Sequence, residues 1–198
     1  EMQATIRYQA ELVDNMTDAV ISVDKKNLVF SWNKGAEKIY GCEAKDAIGR
    51  DLFDVVRPSN TTLSFEDFIK ILRQTGSWSG EDFHHRNNGE EFPVLITASL
   101  IKDKNGAELG AVTVFKDITE RKNAEKALLE SRKRFYGAFH NSPSMNDIVH
   151  SKSGRIIEAN KAMLQVTGFE RDTIGKKTVL ELDIWLDLAQ RDKVLTEL

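Results

Sequence analysis

The chain has 198 residues, room for one large domain or two small ones, and 40% apolar content with only three Pro excludes collagen-like and low-complexity material. Its 31 acidic and 28 basic residues leave a net charge of −3, which gives no pull toward nucleic acid or an anionic membrane, so neither is an expected partner. Apolar runs such as Leu109 to Phe115 fall far short of the roughly 18–20 residues of a bilayer span, no signal peptide opens the chain, and the single Cys42 cannot close an internal disulfide; a soluble, cytoplasmic fragment is expected.

In chain order, a stripe of Met2, Ile6, Gln9 and Val13 predicts a leading helix over 1–13. Residues 14–117 read as a first domain. Ala19 to Val23 is β-branched and apolar, Asp24-Lys25-Lys26-Asn27 is a turn cluster, and Leu28, Phe30 and Trp32 alternate with Val29 and Ser31, which makes a hairpin. Asn33 can cap a short helix that ends at Gly41. Ser64 and Asp67 form a capping box ahead of Phe65, Phe68, Ile69 and Leu72, and Gly76 stops that helix. Strands then follow from Gly80 to Arg86, Phe92 to Ile101 and Leu109 to Lys116, parted by the turns Asn88-Gly89 and Asn105-Gly106. The fold class is α+β, an antiparallel sheet with helices segregated to one side.

Residues 118–139 read as a connector helix. Asp117 and Glu120 make a capping box at a strand-to-helix junction that also holds Ile118 and Thr119, and Ala124, Leu128, Ser131, Phe135 and Ala138 keep the spacing of a coiled-coil seam. The seam predicts a homodimer through the connector and leading helices; a solvated connector is the alternative.

The chain repeats itself. Leu28-Val29-Phe30-Ser31-Trp32-Asn33-Lys34-Gly35-Ala36, with Gly41 eight residues after the Asn, recurs 127 residues later as Arg155-Ile156-Ile157-Glu158-Ala159-Asn160-Lys161-Ala162-Met163, with Gly168 eight after. Ile48-Gly49 returns as Ile174-Gly175. Residues 140–198 are therefore a second copy without its last three strands, whose last predicted helix starts at Asp187; a piece of a longer protein is expected.

Phe30-Ser31-Trp32-Asn33-Lys34-Gly35-Ala36-Glu37-Lys38-Ile39-Tyr40-Gly41, Gly76-Ser77-Trp78-Ser79-Gly80-Glu81, Asn88-Gly89-Glu90-Glu91-Phe92-Pro93-Val94 and Asp117-Ile118-Thr119-Glu120-Arg121-Lys122, in that order, resemble a PAS domain with its C-terminal motif. The resemblance implies a five-stranded antiparallel sheet with helices on one face around a small pocket, in a sensory module of a larger signalling protein such as a sensor histidine kinase. By family position and apolarity the pocket candidates are Ile21, Phe30, Trp32, Ile39, Phe53, Phe68, Leu72, Trp78, Ile96 and Val114. A ligand-free dimerisation module is the alternative.

No catalytic residue is expected: the chain has no phosphate-cradling Gly-rich loop and no nucleophile with a base. His84 and His85 are adjacent in a strand and point to opposite faces, and His140 and His150 lack partners at ligand spacing, so no metal site is expected. No cofactor is expected either. Haem-binding relatives place their axial histidine on the helix Ser64 to Thr75, which has none, and the flavin-adduct motif is missing around Cys42. A non-covalent flavin between Trp32 and Trp78 stays open.

Overall fold

The structure, a computed structural model, describes residues 2–59 and 65–182. It divides into two compact units after Ala124. Unit one begins with α1 (Met2–Asp14), whose residues are all exposed, and continues with the hairpin β1 (Ala19–Asp24) and β2 (Val29–Trp32). Asp24 shapes the turn by accepting the Lys26 and Leu28 amides, at 2.8 and 2.9 Å.

Four helices follow: α2 (Lys34–Tyr40), α3 (Ala44–Ala47), α4 (Leu52–Val56) and α5 (Phe65–Thr75). Three strands complete the unit: β3 (Ser77–His85), β4 (Glu91–Lys102) and β5 (Glu108–Asp117). The sheet runs β2-β1-β5-β4-β3, antiparallel throughout. Helix α2 opens as its sequence predicts, with Asn33 Oδ1 accepting the Ala36 amide at 2.9 Å and Gly41 closing it in the left-handed conformation.

The same Asn33 does more than cap. Its Oδ1 also accepts the Val20 amide, and its Nδ2 donates to the carbonyls of Val13 and Asp18 at 2.9 and 3.1 Å. One buried side chain thus ties the last turn of α1, the start of β1 and the start of α2. Gly35, next to it, is required by crowding: a Cβ there would stand 2.2 Å from the Asp18 carbonyl oxygen and 2.8 Å from that of Met16.

Along β4, Phe92, Val94, Ile96 and Ala98 are buried while the residues between them are not, the period-2 pattern of a sheet with one covered face. Strand β3 starts at Ser77 rather than at the expected Gly80, because β4 is long enough to pair with it from Ser99 to Glu91. The predicted capping box at Ser64 lies outside the described residues.

Helix α6 (Thr119–Asn141) leaves β5 and crosses the division between the units without a break. Unit two holds the hairpin β6 (Asp147–Val149) and β7 (Ile156–Ala159), then α7 (Lys161–Thr167), α8 (Arg171–Ile174) and a 3₁₀ turn, Val179–Leu182. Ile156, Ala159, Met163, Ile174 and Leu182 form its core. The helix predicted from Asp187 lies outside the described residues. No helix among the described residues is long and apolar enough to cross a membrane.

Candidate functional site

A cavity of ≈ 190 Å³ opens between the inner face of the sheet and helices α4 and α5. Its apolar wall comes from Val23, from Leu52, Phe53, Val56 and Pro58, from Phe68, Ile69 and Leu72, and from Trp78, Ile96, Ala111 and Phe115. Asn27, Glu81, Asp82, His84 and Thr113 are its polar groups. The Trp78 indole meets the Phe68 ring edge-on, centroids 5.2 Å apart, and it lies flat across Gly80, where an added Cβ would fall 2.6 Å from the indole carbons. Gly80 therefore gives Trp78 the space to form wall instead of filling the cavity.

Of the ten predicted pocket residues, Phe53, Phe68, Leu72, Trp78 and Ile96 line this cavity. Ile21, Trp32 and Ile39 are buried instead in the packed core around Tyr40, whose ring lies 5.5 Å from Trp32, 5.7 Å from Phe92 and 5.9 Å from Phe115. Two residues are on the wrong side. Phe30 is 77% exposed, because it is the extra residue of a β-bulge: Ser22 pairs with Ser31 and Val23 with Val29, so the alternation that sequence reading carried from Leu28 to Trp32 slips by one. Val114 sits between Thr113 and Phe115, both inward and buried, and so faces outward.

The polar side of the site was not singled out from sequence. Trp78, Gly80, Asp82 and His84 share the inward parity of β3, paired with Ala98, Ile96, Val94 and Phe92. His84 is buried and bonds the Tyr40 hydroxyl through Nδ1 at 2.9 Å; burial, with a smaller push from His85, lowers its pKa to about 4, so it is neutral near pH 7. Burial drives the Tyr40 hydroxyl well above its ordinary range, with Arg86 opposing and Asp117 reinforcing. Loss of water likewise raises the Asp82 carboxyl, partly offset by the Phe83 amide that it accepts. His85, on the opposite face as expected, lies within 3.2 Å of the Ser59 hydroxyl and of the Arg57 carbonyl.

Beyond His84 the chain places Arg86, which joins three elements. Its guanidinium donates to the Ile39 carbonyl at the end of α2, bonds the Asp117 carboxylate at the end of β5, and lies 4.0 Å over the Phe92 ring. Asp117 holds the exit to α6: its Oδ1 accepts the Thr119 amide at 2.9 Å, and the buried Ile118 donates its own amide to the Pro93 carbonyl at 3.1 Å. Desolvation pushes the Asp117 carboxyl up, but hydrogen bonds from Thr119 and Arg86 outweigh it, and its pKa lies below the ordinary value. The predicted capping box with Glu120 is corrected here. Helix α6 starts at Thr119, so Asp117 stands one position too early and reaches the first helical amide.

The first turn of α6 meets the outer face of β3, the strand whose inner face forms part of the cavity wall. Glu81, a wall residue, pairs with Lys122 at 2.7 Å and with Arg121, and these two hydrogen bonds hold its carboxyl below the usual range. Farther along α6, the predicted seam residues Ala124, Leu128, Ser131, Phe135 and Ala138 are all exposed.

A flavin sandwiched between Trp32 and Trp78 does not fit this arrangement. Trp32 donates its indole N–H to the Cys42 carbonyl at 2.9 Å inside the core and forms no part of the cavity wall. Among the described residues, no group of three His, Cys, Asp or Glu is placed to hold a metal ion.

Comparison with known proteins agrees with this architecture. Two PAS domain family models match, one over residues 17–120 and one over 133–197. Phytochrome A type 3 of Avena sativa is 25% identical over 91% of the chain, and phytochrome C of Sorghum bicolor 24%; the chain spans 16% of the length of each. Among solved structures, a PAS domain of a Colwellia psychrerythraea protein matches with a TM-score of 0.50 and 24% identity, over 59% of this chain and 98% of that one. An RNA-binding light-oxygen-voltage receptor matches with a TM-score of 0.57 and 15% identity, over 67% of this chain and 38% of its own, a likeness of fold. With a five-stranded antiparallel sheet folded around a small cavity, and its opening elements repeated after a connecting helix, the chain belongs to the PAS domain family.

Proposed function

We propose that the chain is a tandem sensory module from the cytoplasmic part of a longer signalling protein, such as a sensor histidine kinase, in which a small ligand in the first copy acts on helix α6. Catalysis belongs to other parts of the parent protein. The observation that carries this reading is Glu81, which forms part of the cavity wall and pairs with Arg121 and Lys122 in the first turn of α6. A ligand that shifts β3 moves the partner of two helix cations. Arg86 and Asp117 give a second path, from the end of α2 to the same turn. Coupling requires two states that differ in ligand affinity, and exposed ion pairs suit that role because they add little fixed stability.

The second copy of this chain is the partner that the reading implies. Leu128, Leu129, Phe135 and Tyr136 on α6, and Met2, Ile6 and Tyr8 on α1, are exposed. Two such helices packed against their copies would cover them.

The test uses the full parent protein. Glu81→Gln is expected to change signal output; unchanged output would remove the proposed route. Leu128→Glu should weaken self-association in sedimentation, and a wild-type chain that stays monomeric at high concentration removes the dimer.

A further inference from the structure

Asp82 breaks the pattern of its strand. It stands inward on β3, opposite the fully buried Val94 and between Gly80 and His84, where the pleat otherwise delivers core side chains. One of its carboxylate oxygens accepts the Phe83 amide at 2.8 Å, and the group has lost part of its water. A carboxylate half-turned from water at the rim of an apolar cavity keeps part of its hydration, and an opposite charge would offset the part it has lost.

Among the described residues none provides such a charge to Asp82. Among the described residues of the cavity wall there is no Lys or Arg, and residues 60–64 contain no basic amino acid. His84 is neutral above about pH 4. Glu81, the other acid of the wall, already has Arg121 and Lys122. The rest of the lining is aliphatic and aromatic, and the Trp78 and Phe68 rings suit an apolar body and tolerate a cation near their faces.

We propose that the first cavity takes a small monovalent organic cation, an alkyl- or arylammonium whose apolar body lies against Phe68, Trp78 and Ile96 and whose ammonium group pairs with Asp82. A cation is favoured over a neutral donor because both hydrogen-bond the carboxylate but only the cation also neutralises its charge. Anions are excluded by the same carboxylate. At ≈ 190 Å³ the cavity lies below the ~300–1,000 Å³ of drug-sized sites, so the ligand has about one ring and a short side chain.

This inference rests on the ligand-sensing reading, and the experiment separates the two. The 198-residue chain is titrated with benzylammonium, benzyl alcohol and benzoate while the indole N–H resonance of Trp78, assigned with Trp78→Phe, is followed by NMR. Benzylammonium is expected to shift it saturably and to bind at least tenfold more tightly than benzyl alcohol, with benzoate silent. Asp82→Asn, whose fold is checked by the Trp32 resonance in the core, should bring the ammonium and the alcohol within twofold of each other. Equal or tighter binding of the alcohol or benzoate, or a preference that survives Asp82→Asn, overturns the cation and leaves a ligand cavity of other chemistry. No saturable shift with any of the three overturns both the cation and the ligand-sensing reading.

Discussion

The two copies share the design of their opening hairpin, cap and helix. Asn33 and Asn160 have nearly the same backbone, φ −81° and ψ 172° against φ −81° and ψ 171°, and both cap a seven-residue helix closed by a left-handed glycine. Asn160 also repeats the tie to the preceding helix, donating to the Phe139 carbonyl at 3.0 Å as Asn33 does to Val13. Even the bulge recurs: Ile157 is the unpaired residue of the second hairpin and is 58% exposed, as Phe30 is in the first. What differs is the cover. Ile39 is 9% exposed beneath the packed sheet, whereas its counterpart Val166 is 69% exposed, with no strands of its own unit over it among the described residues. The opening hairpin, cap and helix are thus set by local chemistry, while the burial that encloses a cavity depends on the three later strands.

That contrast can be broken most strongly at the asparagines. Asn33→Ala removes a cap and leaves buried backbone groups unsatisfied, an expected loss of about 3–4 kcal/mol in chemical denaturation; Asn160→Ala should lower the stability of unit two by a comparable mechanism, and a tolerated change at either position would mean that the tie is dispensable.

The acid sensitivity should belong to the first copy. His84 is held at about 4 in the folded chain against its ordinary 6.5, so below pH 6.5 the unfolded chain takes up a proton that the folded chain refuses. Stability is expected to fall as pH drops from about 6.5 toward 4, by at most roughly 3 kcal/mol, and His84→Gln should flatten that slope. A wild-type stability independent of pH across this window would show that the site is open to water.

Gly35 and Ala162 occupy equivalent places with different tolerance. Gly35→Ala forces a methyl group against two carbonyl oxygens and should cost about 2–3 kcal/mol, whereas Ala162→Gly should cost only about 0.5–1 kcal/mol through helix propensity. Similar losses at both would show that Asp18 can move aside. The smallest effect is expected at the bulge: Phe30→Ser should change stability by less than about 0.5 kcal/mol, and a larger loss would show that Phe30 is covered, as by a second copy.

The legibility of the chain followed the range of the interactions involved. Helix caps and the Asn-Gly turns came from residues close in sequence, and the repeat strengthened the first cap, whereas the order of strands in the sheet, with β1 beside β5, did not. The junction after β5 falls where the sequence places it, but the cap expected at Asp117 is one residue too early, because the start of α6 depends on Ile118 being buried and bonded to the Pro93 carbonyl of β4. Phe30 was misplaced because nothing in its own tetrapeptide announces a bulge. Asp82 and Arg86 went unremarked because β3 carries polar residues at both parities, so its inner face is evident only once β4, with its apolar alternation, is laid beside it.

Helix α6 is fastened at its first turn through Asp117 and Thr119, and near its last turn through the amide of Asn160. By helix geometry, one residue deleted from or inserted into α6 between these anchors turns the residues beyond it by about 100° about the helix axis, while one whole heptad restores their direction to within about 20°.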